Sequence, residues 1–130
     1  MIGLDTTAII DIFKEDSSIK QLMQEINESF SLTQISYLEL MFGLNFDSPK
    51  HLVEKNYYDV LFRSFTNFGL SKESCARAGK ILWDLKKEGK KIDEFDGVIA
   101  GILLSNGINK IITRNAKHFE NIKGLKVISY

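Results

Sequence analysis

The chain has 130 residues and a mass of 14.8 kDa, which suits one ordinary domain over residues 1–130 and excludes two full-sized ones. Its composition, 44% hydrophobic and 26% charged, is that of a globular chain, and a single cysteine, Cys75, excludes a disulfide framework and a cysteine zinc site. Seventeen acids balance seventeen bases, which excludes the strongly basic surface of a domain that coats nucleic acid.

The opening residues, MIGL, form a short apolar run that reads as a first strand ending in Asp5-Thr6-Thr7. Asp5 interrupts the apolar stretch MIGLDTTAIIDIF and no basic region precedes it, so the segment is unlike a secretory signal. No apolar run in the chain approaches a membrane span, and the expectation is a soluble, cytoplasmic protein without a membrane partner. A short helix carrying Ala8, Ile9, Ile12 and Phe13 follows, then a second over about Ser18 to Glu28. Phe30 to Thr33 reads as strand two.

In QISYLELMFGL, residues Ile35, Leu38, Glu39 and Phe42 fall on one helical face, which places Glu39 on an apolar stripe. Ser48-Pro49 starts a longer helix, since proline suits a first helical turn. Phe68-Gly69-Leu70 is a connection or a third strand, and Ser71 is an N-cap for a helix that stops at Gly89. Along that helix Cys75 and Trp83 recur at helical spacing with Ala78, Leu82 and Leu85; Cys75 is assigned to the core, and Trp83 to the core or a dimer contact. Asp93 to Asp96 lead into the small-residue helix GVIAGILL, which ends near Asn106-Gly107. Lys110 to Thr113 is strand four, Arg114 to Phe119 a loop with a short helical turn, and Leu125 to Ile128 strand five.

Short apolar strands alternating with helices predict an α/β fold with a parallel sheet covered on both faces. Ligands of open α/β sheets collect beyond the carboxyl ends of the strands. Asp5 follows strand one and Asn115 follows strand four; Asp96 opens a helix, and Glu39 lies one turn into another. Acids gathered in this way raise each other's pKa, and a hard divalent cation such as Mg²⁺ or Mn²⁺ relieves that repulsion. Each acid also has a structural reading: Asp5 as a helix cap, Glu39 as the partner of a lysine or arginine, and Asp96 as part of a capping-box variant with Asp93.

The segments LDTTAIID, TQISYLEL, DGVIAG and IITRNAKHFENIKGLKVI together resemble the PIN domain family, and most closely its VapC-type toxin ribonucleases. The resemblance covers essentially the whole chain. It implies a three-layer α/β/α sandwich around a parallel sheet of four or five strands. It also implies an endoribonuclease that hydrolyses RNA phosphodiester bonds with Mg²⁺ or Mn²⁺, forms a homodimer and is silenced by a small antitoxin. On this resemblance Asp5, Glu39 and Asp96 hold the metal, and Asn115 completes the site. Thr6 and Thr113 are hydroxyls near it. Arg114 contacts a phosphate or anchors an acid, unless it pairs with a structural carboxylate. His118 stands where many relatives have aspartate, as a substrate-side group, a metal neighbour or a surface side chain. The alternatives are a PIN-like module that binds RNA or protein without cleaving, and a PIN nuclease of RNA processing.

Charge is unevenly spread. Residues 1–47 carry eight acids and two bases, and residues 110–130 carry one acid and five bases. The basic end, with Lys86, Lys87, Lys90 and Lys91, predicts a local basic rim beside the acids.

Overall fold

The computed structural model describes residues 1–130. Five parallel strands, β1 (Ile2–Leu4), β2 (Phe30–Thr33), β3 (Thr66–Phe68), β4 (Lys110–Ile112) and β5 (Lys126–Ile128), form one sheet in the order β3-β2-β1-β4-β5. The chain runs outward from β1 through β2 to β3, then returns to place β4 and β5 on the other side of β1. The strand order therefore reverses between β1 and β4, and in open α/β sheets ligands bind beyond the carboxyl ends of the strands at such a point.

Seven helices cover the two faces: α1 (Thr6–Phe13), α2 (Ser17–Glu25), α3 (Gln34–Phe42), α4 (Pro49–Ser64), α5 (Lys72–Lys87), α6 (Glu94–Ser105) and α7 (Ala116–Phe119). Strand alternation sorts the core into two layers. Ile2, Leu4, Leu32 and Ile112 pack with Ala8, Ile9, Ile19, Tyr58 and Phe62 on the side of α1, α2 and α4. Ile111 packs with Leu85, Ile99, Ile102, Leu103 and Phe119 on the side of α5, α6 and α7. The result is the three-layer α/β/α sandwich.

Local signals place most boundaries. Ser48 caps α4 by accepting from the His51 amide, with Pro49 in the first turn. Ser71 and Ser74 form a reciprocal capping box on α5, and Gly89 follows its end with φ +70. The third strand is two residues earlier than Phe68-Gly69-Leu70 suggested. Thr66 and Asn67 are exposed on an edge strand, so they carry no apolar signature.

Burial on α5 departs from the apolar periodicity. Its packed face is Ser74, Ala78 and Leu85, and where α6 approaches most closely, at Gly101, the α5 residues are the small Ser74 and Ala78. A Cβ added to Gly101 of α6 would lie 2.8 Å from the Ser74 carbonyl oxygen and 2.9 Å from the Ala78 nitrogen. Cys75 consequently faces solvent, contrary to its core assignment, and Trp83 is 58% exposed, outside the core. The α3 stripe is displaced in the same sense. Ile35, Ser36 and Leu40 are buried, whereas Leu38 and Phe42 are exposed. Glu39 stands on a rim, not in an apolar core. No helix is long and apolar enough to cross a membrane.

Candidate active site

Asp5 leaves β1 at the reversal of strand order and is almost fully buried. Its side chain caps α1, with Oδ1 accepting from the Ala8 amide at 2.9 Å. The same oxygen accepts from the Thr7 hydroxyl at 2.7 Å, and Oδ2 accepts from the Thr113 hydroxyl at 2.6 Å. Asp5 is thus a helix cap and also lies at the carboxyl end of β1, where the strand order reverses. Thr113 is fully buried and ties β4 to β1 through this bond; its hydroxyl also accepts from the Asn115 amide at 2.9 Å. Thr7, which sequence reasoning did not single out, accepts from the Arg114 amide at 3.1 Å. The available signal was two consecutive hydroxyl residues straight after the strand, one of them within reach of its carboxylate.

Glu39 pairs with no lysine or arginine. Its Oε1 accepts from the Thr6 hydroxyl at 2.6 Å, and the Ser36 hydroxyl lies 3.0 Å from the same Thr6 oxygen. Asp96 takes no part in a capping box: Asp93 alone caps α6, accepting from the Phe95 amide at 2.9 Å. Asp96 instead lies in the first turn of α6, with Oδ2 2.6 Å from His118 Nδ1 on α7. Asn115 is the half-buried N-cap of α7 and makes no side-chain capping bond.

The three carboxyls share one electrostatic signature. Burial raises Asp5, Glu39 and Asp96 above the ordinary carboxylate range. Hydrogen bonds from Thr113, Ala8 and Thr7 oppose this at Asp5, as Thr6 does at Glu39 and His118 at Asp96. The charge of Asp96 raises both Asp5 and Glu39, and that of Asp5 also raises Glu39, so the acids of β1, α3 and α6 sense one another.

Arg114 is turned away from this group. Its Nη1 lies 2.9 Å from Oδ1 of Asp11, a buried carboxylate on α1 that also accepts from the Tyr130 hydroxyl. Of its alternatives, the pair with a structural carboxylate is the one the structure contains. Nor does the basic end of the chain form one rim. Lys110 and Lys126 start β4 and β5 at the opposite end of the sheet, and Lys110 pairs with Glu28.

The donor chemistry suits a hard divalent cation, because it consists of carboxylate oxygens. One oxygen of Glu39 and one of Asp96 make no hydrogen bond, and Asp5 Oδ2 accepts only one. The side chains do not stand as a ready-made cage: no three His, Cys, Asp or Glu groups adopt a metal-holding arrangement. The acids are separate carboxylates, each tethered to its own neighbour.

Known proteins share this architecture. The "tRNA(fMet)-specific endonuclease VapC" of Shigella flexneri is 23% identical over 128 residues, covering 95% of this chain and 92% of that protein. The solved structure of VapBC-1 from nontypeable Haemophilus influenzae aligns with a TM-score of 0.82 and 28% identity, over 99% of this chain and 98% of that one. VapBC2 of Rickettsia felis, solved bound to a DNA fragment from its promoter, gives a TM-score of 0.84 and 22% identity, over 100% and 99% of the two chains. The family model described as "PIN domain" matches residues 2–125. With nearly its whole length matched, the chain belongs to the PIN domain family.

Proposed function

We propose that this protein is a metal-dependent endoribonuclease that hydrolyses RNA phosphodiester bonds as the toxin of a VapC-type pair, working in the cytoplasm as a single domain. One observation carries the reading: three carboxyls from β1, α3 and α6, all raised by burial and two of them by mutual repulsion, with no lysine or arginine paired to any. A fold that concentrates acids without a lysine or arginine partner at its ligand-binding end is arranged for a cation supplied from outside.

Asp5, Glu39 and Asp96 would hold Mg²⁺ or Mn²⁺, which supplies Lewis acidity at a phosphoryl oxygen. Thr113 and Thr7 hold the Asp5 carboxylate in place, and Thr6 does the same for Glu39. Asn115 offers an uncharged amide beside them, suited to orient water or substrate. Arg114 acts through its backbone, by donating to Thr7, and its guanidinium serves Asp11.

Partners follow from the surface and from the relatives. Phe42 is 68% exposed and Trp83 58%, with Phe46, Leu52 and Val53 also open to solvent. Exposed apolar area of this kind favours association, here with a second copy and with a small antitoxin. Two of the structures described above are VapBC assemblies, which supports the toxin–antitoxin setting.

The test is cleavage of labelled RNA, beginning with transfer RNA, in Mg²⁺ or Mn²⁺. Asp5→Asn, Glu39→Gln and Asp96→Asn should each cut the rate by roughly 10²–10³-fold, the scale for losing one preorganised electrostatic group. Each should keep the circular dichroism of the parent. Metal binding without turnover by the parent would point instead to a PIN-like binding module, and cleavage confined to precursor RNA to a processing nuclease.

A further inference from the structure

His118 is the one imidazole among the site residues, and its position is held firmly. Phe119, the next residue, is fully buried among Ile99, Ile102 and Leu103, which docks α7 against α6. The His118 amide also bonds the Asn115 carbonyl oxygen at 3.0 Å. The imidazole is therefore delivered to Asp96 by packed backbone and not by a floppy loop. Its Nδ1 lies 2.6 Å from Asp96 Oδ2, with the His118 side chain 46% exposed and that of Asp96 14%. An ionised carboxylate only accepts hydrogen bonds, so Nδ1 carries the proton in this contact. The contact engages Oδ2 and leaves Oδ1 of Asp96 without a hydrogen-bond partner.

We infer that His118 is a positioning residue: by donating Nδ1–H to one Asp96 oxygen it fixes the carboxylate so that the other oxygen is presented to the cation. This rests on the reading of Asp5, Glu39 and Asp96 as the metal-holding acids. It separates His118 from a substrate contact, because the side-chain bond it makes is to the acid. Thr6 plays the same part for Glu39, and Thr7 with Thr113 for Asp5. His118 completes a set in which every acid has its own hydrogen-bond donor. Partners of this kind behind a metal-binding carboxylate typically change metal affinity by about 10–100-fold.

The experiment is calorimetric titration of Mn²⁺ alone, without RNA, into the parent, His118→Ala, His118→Asn and Asp96→Asn, with melting temperatures measured in chelator. The expected result is a 10–100-fold weaker Mn²⁺ affinity for His118→Ala, at a metal-free melting temperature close to that of the parent. His118→Asn, whose amide can donate in place of Nδ1–H, recovers most of the affinity. Parent-like affinity in His118→Ala, alongside loss of binding in Asp96→Asn, would overturn the positioning role and leave the metal site standing. Equal weakening in His118→Ala and His118→Asn would also overturn it, since donation would then not be the cause. A parent that binds no Mn²⁺, or an Asp96→Asn variant that binds it unchanged, would bring down the metal reading itself.

Discussion

The pairing of Arg114 with Asp11 can be tested directly, because a phosphate contact and a structural contact predict different measurements. Asp11 is only 6% exposed and receives two hydrogen bonds, from Arg114 Nη1 and the Tyr130 hydroxyl. Hydrogen bonds to a charged group contribute about 1.5–3 kcal/mol each. Arg114→Ala removes one of them and leaves a buried carboxylate with Tyr130 alone, at a cost of about 2–3 kcal/mol. That figure is kept at the low end because Arg114 itself is half exposed and its field is screened. Asp11→Ala frees the arginine to water and strands only the Tyr130 hydroxyl, for roughly 2 kcal/mol. The double variant should cost little more than the worse single one, a coupling of about 1–2 kcal/mol. Urea unfolding of the four proteins without metal measures all three quantities. The melting temperature of Arg114→Ala should fall by roughly 6–12 °C at this chain length. Unchanged stability in Arg114→Ala, combined with weaker RNA binding and a shallower salt dependence, would refute the structural pairing and make Arg114 a phosphate contact.

Two further outcomes follow. The folded-state pKa of Asp96 lies above its unfolded value, so the ionised form is the disfavoured one in the metal-free fold. Stability from this group is fully present below the unfolded pKa, near about 4, and is lost as pH rises through the folded value. Asp96→Asn should therefore melt higher than the parent at neutral pH in chelator, and the gap should close toward about pH 4; a gap that does not change with pH would contradict the assignment. Gly101→Ala places a methyl against the Ser74 carbonyl and the Ala78 amide, backbone atoms that cannot rotate aside. A loss of about 1–3 kcal/mol in urea unfolding is expected, with weaker Mn²⁺ binding because α6 carries Asp96.

How far the sequence could be read depended on whether each signal was local. The Asp5 position, the Ser48-Pro49 start and the Gly89 stop depend on neighbours in the chain, and they appear in the fold where expected. Burial on α3 and α5 depends on what approaches from elsewhere. At α5 the neighbour α6 demands small residues, so the apolar periodicity of Cys75 and Trp83 pointed outward. Glu39 lies among apolar residues in the sequence, yet Leu38 and Phe42 beside it are exposed. What sets its environment is Thr6 and the other acids. Asp11 gave no signal at all: an acid within TTAIIDIF looks solvent-facing until Arg114 and Tyr130 reach it from 103 and 119 residues away.

That distant pairing explains how an acidic site survives in a chain of zero net charge. Two bases that fold back onto the acidic first segment are matched to acids other than Asp5, Glu39 and Asp96: Lys110 to Glu28 at the far end of the sheet, and Arg114 to Asp11 on α1. Arg114 is the critical case, since it sits between Thr113 and Asn115. A free guanidinium there would neutralise Asp5 or Asp96 and fill the role of the cation. Asp11 removes that competitor. What holds the acids in place is fixed: hydroxyls on Asp5 and Glu39, the His118 imidazole on Asp96, and the N-termini of α1 and α6 at Asp5 and Asp96, where the helix dipole favours a carboxylate. The hydroxyls steady Asp5 and Glu39 without cancelling their charge. The repulsion left over among the three acids adds to burial in raising Asp5 and Glu39, and under the proposed function a divalent ion would relieve it.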